Sequence, residues 1–181
     1  FFQETLNQNI PVVWIDHHPR VSEITENVHY YNPLLETPEN NEPVSYWCYK
    51  VTGKDLWISA AGAVSDWYMP DFLDEFKKEY PDLIGDKKEI GDIIYKTKLG
   101  KIIQIMNFAM RDKITNVIKM LKIFETTQSP YEIFSEEKKY ETVIKRYQYI
   151  NQKFEKFMEM AEEKAKKSDK IIFFQYSGEM K

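Results

Sequence analysis

A short apolar run that ends in an acid and two histidines constrains this chain more than any other feature. Residues 12–15, Val-Val-Trp-Ile, are apolar and mostly β-branched, which predicts a strand buried on both faces of a parallel sheet. Asp16, His17 and His18 follow at once, and the next residue, Pro19, cannot continue a strand ladder. The polar side chains are therefore expected at the carboxyl end of a buried strand, where open α/β sheets bind ligands.

These three polar residues suggest a metal site. Carboxylates and imidazoles are the usual oxygen and nitrogen ligands of Mn, Fe and Zn ions. Because neighbouring residues of a regular strand point to opposite faces, the three side chains cannot all bind one ion. We expect one histidine to bind metal, the other to face the substrate, and Asp16 to orient a ring. The competing interpretation is a strand-end turn in which Asp16 caps the next segment and both histidines are solvated.

Two further motifs follow in an order that resembles a known family. Residues 15–19, Ile-Asp-His-His-Pro, look like the signature of the DHH phosphoesterase superfamily. Residues 31–33, Tyr-Asn-Pro, resemble the Asn-Pro that often follows in RecJ-like members. Residues 60–66, Ala-Ala-Gly-Ala-Val-Ser-Asp, resemble the next motif, a small-residue segment that ends in a metal-binding aspartate. The greatest similarity is to archaeal RecJ-like proteins.

The resemblance implies hydrolysis of phosphodiester bonds with two Mn²⁺ or Mg²⁺ ions. By resemblance, His17 and Asp66 bind metal. His18 then faces the phosphate as a donor or acid, and Asp16 orients His17. The implied function is a RecJ-like exonuclease for single-stranded DNA or RNA. Short oligonucleotides or cyclic dinucleotides are alternative substrates, and a degenerate scaffold of a replication complex is an alternative function.

From the residues alone, Asp66 has two interpretations. A carboxylate that follows an apolar, small-residue run needs a partner if it is buried, and a metal beside His17 would be that partner. Alternatively, Asp66 caps the next helix, near whose start Pro70 lies. The resemblance favours the metal.

The resemblance also implies that part of the metal site is missing. The family uses an Asp-x-Asp motif and another aspartate before Asp-His-His, whereas Glu4 is the only acidic residue before Asp16. We therefore expect an internal fragment that holds at most half a metal site and is inactive alone. The implied segments are the C-terminal part of a DHH catalytic domain, linking helices, and the start of a truncated α/β substrate-binding domain with a strand at 171–176: residues 1–98, 99–168 and 169–181.

Helical patterns dominate the second half of the chain. Apolar residues recur at spacings of three or four over residues 99–124, which predicts one long helix. A capping box at residues 129–132 starts the next segment, and a second stripe covers residues 140–161. These helices are expected to pack on each other or on the sheet, and a homodimer through them is the alternative. The predicted class is therefore α/β, a parallel sheet followed by long linking helices.

Composition limits the partners and the location. Hydrophobic residues make up 43% of the 181 residues, which is enough for a packed core. The net charge of −4 argues against an overall nucleic-acid-binding field but permits a local basic groove. The single cysteine, Cys48, is predicted to be packed and inert, and a cytoplasmic location is expected. No apolar run approaches the roughly 18 residues of a membrane span, so no membrane partner is expected.

Overall fold

A computed structural model describes residues 2–8, 10–19 and 28–165 of the chain. Within these ranges the protein is mixed α/β and mostly helical, with one two-stranded parallel sheet. The α/β class expected from the sequence is confirmed at this level, whereas a DHH domain stays a prediction. The chain divides into two units, residues 1–100 and 101–181. The predicted strand at 171–176 and the segment 169–181 lie outside the described residues.

The sheet is built from the two predicted strands. Helix α1 (Phe2–Asn7) precedes strand β1 (Val12–Ile15), which pairs in parallel with strand β2 (Val28–Tyr31). Ile15 lies opposite Tyr31, so both strands end at the same edge of the sheet. The neighbouring rings of Trp14 and Tyr30 meet edge to face, with centroids 4.8 Å apart. This cross-strand pair fixes the register beside the carboxyl ends.

The prediction that β1 is buried on both faces is wrong. Val13 is 73% exposed, and His29, its neighbour in β2, is also exposed. On that face the Trp47 ring, from helix α2 (Val44–Thr52), covers Tyr31 at a centroid distance of 4.8 Å. Val13 lies two residues further from the carboxyl end, beyond this cover. An apolar run shows that a strand can be buried, but it does not show how far a helix covers each face.

Short helices complete the first unit. They follow a 3₁₀ turn at Pro33–Leu35. Helix α2 ends at Gly53, as the sequence predicts. Pro81 begins a new helical turn instead of only ending the previous helix, because proline suits the first helical position. The remaining helices of this unit are α3 (Leu56–Ser65), α4 (Leu73–Glu79), α5 (Pro81–Ile84) and α6 (Ile90–Lys96).

Helix α3 forms the centre of the first unit's core. Its small residues Ala60 and Ala63 are fully buried, as is Val64. Gly62 faces helix α2 so closely that a Cβ atom placed there would lie 2.6 Å from Ser45 Cβ. The expectation that this small-residue segment permits close approach is therefore confirmed, because only hydrogen fits at Gly62.

The prediction that Cys48 is packed is wrong, since its side chain is exposed. Tyr46 is the buried residue of α2. Cys48 follows it by two positions, which is about 200° around a helix of 3.6 residues per turn. The aromatic neighbours of Cys48 therefore occupy the core-facing side of the helix, and the thiol faces solvent.

In the second unit, the predicted long helix is divided in two. Helix α7 (Lys98–Ala109) begins in the first unit, and helix α8 (Ile114–Glu125) follows after four residues. The Asp112 side chain accepts a 2.6 Å hydrogen bond from the Lys113 N–H, and this local bond competes with helix continuation. Arg146 contacts the same turn, with its Nε 3.4 Å from Asp112 Oδ2. The apolar spacing continues through the break, so periodicity alone does not reveal it.

Helix α9 (Glu141–Ala165) confirms the second predicted stripe, and Val143, Tyr147 and Ile150 are buried. The predicted capping box is also present and opens a 3₁₀ turn at Pro130–Phe134; another such turn is Lys138–Tyr140. None of the helices in the described ranges has the length and apolar character needed to cross a lipid bilayer.

Candidate functional site

The turn after β1 is stabilised by the Asp16 side chain. The Asp16 N–H still donates to the Tyr31 carbonyl at 3.0 Å, which extends the strand pairing by one residue. Its Oδ1 then accepts hydrogen bonds from the N–H groups of His17 and His18, at 2.8 and 3.2 Å. An aspartate that caps its own following backbone makes a tight turn. The turn therefore presents both imidazoles beside the carboxyl end of the sheet.

Asp16 also contacts one imidazole ring. Its Oδ1 lies 2.9 Å from Nδ1 of His18, so the expectation that Asp16 orients the ring of His17 is wrong. Because His18 is two residues along the turn, its ring folds back over the carboxylate, whereas His17 offers only its backbone. Partial burial by itself would raise the pKa of Asp16. The hydrogen bonds from the His18 ring and from the N–H groups of His18 and His17 outweigh burial and hold that pKa below its ordinary value.

Asn32 stabilises the same turn from the neighbouring strand. The residue is only 2% exposed. Its Nδ2 donates to the His18 carbonyl and to the Tyr30 hydroxyl, both at 2.8 Å, and its Oδ1 accepts from the Leu34 N–H at 3.0 Å. The sequence interpretation used Asn32 only as a family motif and as the end of a strand. No signal in the sequence indicated this positioning role, which follows from the burial and hydrogen bonds of Asn32 in the folded chain.

The structure brings His17 and Asp66 together. Nε2 of His17 lies 4.0 Å from Oδ2 of Asp66, and the two side chains are 19% and 47% exposed. Asp66 is therefore not buried, so burial does not require it to have a partner. The alternative helix-cap role is wrong, because Asp66 ends α3, whereas Phe72 precedes the first turn of α4. A carboxylate at a helix end stays partly in water, and it projects toward the strand-end turn.

This pair fits part of a metal site. Metal–ligand distances for imidazole and carboxylate are about 2.0–2.2 Å, so two ligands of one ion lie about 3–4 Å apart, and the observed 4.0 Å is at the upper end of that range. Within residues 2–8, 10–19 and 28–165, no other hydrogen-bond partner engages the side chains of His17 and Asp66. The same ranges contain no group of three or more His, Cys, Asp or Glu residues that could hold an ion. The described residues therefore offer at most two ligands for an ion at this place.

Helix α3 ends beside this pair in a left-handed turn occupied by tryptophan. The Trp67 N–H donates to the Val64 carbonyl at 3.1 Å, and the Tyr68 N–H donates to the Ala63 carbonyl at 2.9 Å. These bonds form a Schellman motif, whose left-handed position usually holds glycine. Trp67 has a φ of +59°. A left-handed backbone costs a residue with a Cβ roughly 1–2 kcal/mol.

Deep burial of the Trp67 side chain does not offset the steric cost of this backbone conformation. The side chain is 56% exposed. Its six-membered ring lies over Gly91, where an added Cβ would be 3.9 Å from two ring carbons, an ordinary contact distance. The Tyr95 ring, which is also exposed, meets it edge to face with centroids 6.3 Å apart. Trp67, which directly follows Asp66 in the chain, and Tyr95 therefore form a pair of solvated aromatic rings. The sequence interpretation missed them, because an isolated tryptophan after a helix has no distinctive pattern.

No protein-family model matches the sequence, and no curated protein or solved structure matches it significantly. The similarity to DHH phosphoesterases therefore rests on the three sequence motifs. The structure adds that the first and third of these motifs meet, through His17 and Asp66. It also adds that the second motif contacts the first, through Asn32 and the His18 carbonyl.

Proposed function

We propose that this chain forms part of a metal-dependent phosphoesterase, a RecJ-like enzyme that hydrolyses phosphodiester bonds of single-stranded DNA or RNA. The observation that carries the proposal is the 4.0 Å approach of His17 Nε2 to Asp66 Oδ2 at the carboxyl edge of a parallel strand pair. The two polar side chains come from separate elements, the turn after β1 and the end of α3. A shared cation is the simplest partner for both.

In this proposal, His17 and Asp66 hold a divalent ion, Mn²⁺ or Mg²⁺, with further ligands outside the described residues. A bound ion of this kind polarises a phosphoryl oxygen and stabilises the developing negative charge. His17 is mostly covered by protein, which limits the positions of its ring. Asp66 is half-exposed, so the substrate can approach from its side.

His18 handles protons in the same scheme. Asp16 is ionised at neutral pH and can only accept, so the His18 Nδ1–H donates to it. The neutral ring then carries its lone pair on Nε2. His18 is 73% exposed, so Nε2 is accessible to a phosphate or to the leaving oxygen. Asp16 thus sets the tautomer, and Nε2 of His18, when it carries a proton, is the atom that would give it to the leaving group.

The decisive experiment titrates the 181-residue chain with Mn²⁺ and measures the concentration of the free ion by electron paramagnetic resonance. We expect weak binding that His17→Ala and Asp66→Ala each reduce at least about tenfold, since each removes one ligand. His29→Ala is the matched control, because His29 is exposed on the neighbouring strand and is placed outside the pair. Equal Mn²⁺ affinity in all four proteins would overturn the proposal.

A second readout tests the reaction. Labelled single-stranded DNA and RNA are incubated with the chain and Mn²⁺, and we expect slow hydrolysis at most, because the described residues supply two ligands. Any Mn²⁺-dependent cleavage should disappear in His17→Ala and Asp66→Ala and should persist in His29→Ala. Cleavage that persists in the first two variants would contradict the assignment of the site.

A further inference from the structure

Trp67 combines two properties that packing does not explain. It occupies the left-handed end of α3 with a φ of +59°, where glycine is the residue without a steric cost. Its indole ring is nevertheless 56% exposed, so burial of the ring offsets little of that steric cost. A strained residue with an exposed aromatic side chain is an observation from which function can be inferred.

The position of the indole ring suggests what it binds. Trp67 directly follows Asp66, so the two Cα atoms are about 3.8 Å apart. Gly91 lies on one side of the ring, and Tyr95 approaches it edge to face. The aromatic pair therefore begins one residue after Asp66, the residue that approaches His17.

We propose that Trp67 and Tyr95 form a stacking site for a nucleobase of a single-stranded nucleic acid. The inference rests on the proposed function, in that the base and the phosphate near Asp66 belong to one strand. Aromatic stacking tolerates any base, because every base has a π face. The arrangement thus gives the acidic chain, with net charge −4, a way to bind nucleic acid without an overall positive field.

The test measures binding separately from metal chemistry. Fluorescence anisotropy with a labelled oligo(dT) and with an abasic strand of equal length is recorded on the full chain in EDTA. We expect the wild-type chain to prefer the strand that carries bases. Trp67→Gly should weaken binding of oligo(dT) about tenfold and remove the preference, because stacking on an aromatic side chain is lost. Trp67→Phe should retain most of the affinity.

Two controls exclude indirect effects. Glycine suits the left-handed turn, so Trp67→Gly is expected to fold, and circular dichroism verifies this. Tyr149→Ala removes an exposed tyrosine whose ring is already contacted by Lys153 Nζ, at 4.3 Å from the centroid, and by Arg146. This variant should bind oligo(dT) like the wild type.

The outcomes are distinct from those of the Mn²⁺ titration. Unchanged oligo(dT) binding in Trp67→Gly, an equal loss on the abasic strand, or an equal loss in Tyr149→Ala would overturn the stacking site. A chain that binds neither strand would overturn it as well. If oligo(dT) binding does not depend on Trp67 but Mn²⁺ still binds, only the stacking site is overturned. If oligo(dT) binding depends on the bases but Mn²⁺ does not bind, the stacking site is supported and the proposed metal site is not.

Discussion

The two turns that meet at the candidate site are stabilised in different ways. The turn after β1 is held by side chains, since Asp16 caps two N–H groups and Asn32 holds the His18 carbonyl. The turn after α3 is held by backbone hydrogen bonds from Trp67 and Tyr68, and its left-handed position carries Trp67. The first turn therefore follows local side-chain preferences, whereas the second opposes them.

A second helix end shows how large this departure is. Helix α2 also ends in a left-handed residue, Gly53, with a φ of +62°. Among the described residues nothing lies within 4 Å of where a Cβ of Gly53 would be. The two positions share a backbone conformation and differ in the side chain. This difference means that Trp67 bears a backbone cost that Gly53 does not.

Removal of Asn32 should have the largest effect, because it breaks the turn that side chains stabilise. Asn32→Ala leaves the His18 carbonyl, the Tyr30 hydroxyl and a backbone N–H without their partner in a buried position. We expect the free energy of unfolding to fall by about 2–3 kcal/mol, measured by urea denaturation. Asn151→Ala is the control, because within the described residues the Asn151 side chain bonds only to Glu155, at an exposed position on α9. It should change stability by less than about 0.5 kcal/mol. A loss below about 1 kcal/mol for Asn32→Ala would show that water replaces these bonds.

Asp16 tests the same turn through pH. Its pKa is lowered in the folded state, so its carboxylate contributes stability above the ordinary pKa of about 3.9, and that contribution is lost as pH falls through the folded pKa. Asp16→Asn should therefore lower the free energy of unfolding by about 1 kcal/mol at pH 7. The difference from the wild type should shrink below about pH 4. Denaturation curves between pH 7 and pH 3 measure this, and a constant difference over that range would contradict the lowered pKa.

The smallest effects should come from exchanging side chains at the two left-handed helix ends. Gly53→Ala should lower the free energy of unfolding by about 1 kcal/mol, because it adds a Cβ to a left-handed backbone and fills no space. Trp67→Gly should leave it unchanged or raise it by less than about 1 kcal/mol, since relief of strain is offset by the greater freedom of the unfolded chain. Thermal denaturation compares the two variants. A marked loss of stability in Trp67→Gly would mean that the indole serves packing.

Local patterns predicted the elements that local interactions stabilise. Strands β1 and β2, the end of α2 at Gly53 and the capping box that begins at Ser129 follow from residues that act on their own neighbours. Helix α3 was also predictable as a helix that a neighbour can approach closely, because glycine has no side chain at position 62 and the alanines have only a methyl group.

Features that depend on distant contacts were not predictable. The exposure of Val13 depends on how much of the sheet α2 covers. The break before α8 depends on Asp112 and on Arg146 from another helix. The candidate site follows the same rule. Its residues His17 and Asp66 were identified from the motifs, whereas the pairing of Asp16 with His18 and the role of Asn32 required the folded geometry.

The contact at Gly62 also determines which motions can change the site. Helices α2 and α3 touch there without space for even a methyl group, and α2 contacts the sheet where Trp47 meets Tyr31. Interiors packed this closely resist sliding. The separation of His17 and Asp66 is therefore adjusted by side-chain rotation at the two turns and not by displacement of the helices. The proposed cation site would therefore tighten through movements of a few atoms, which are fast and cost little reorganisation.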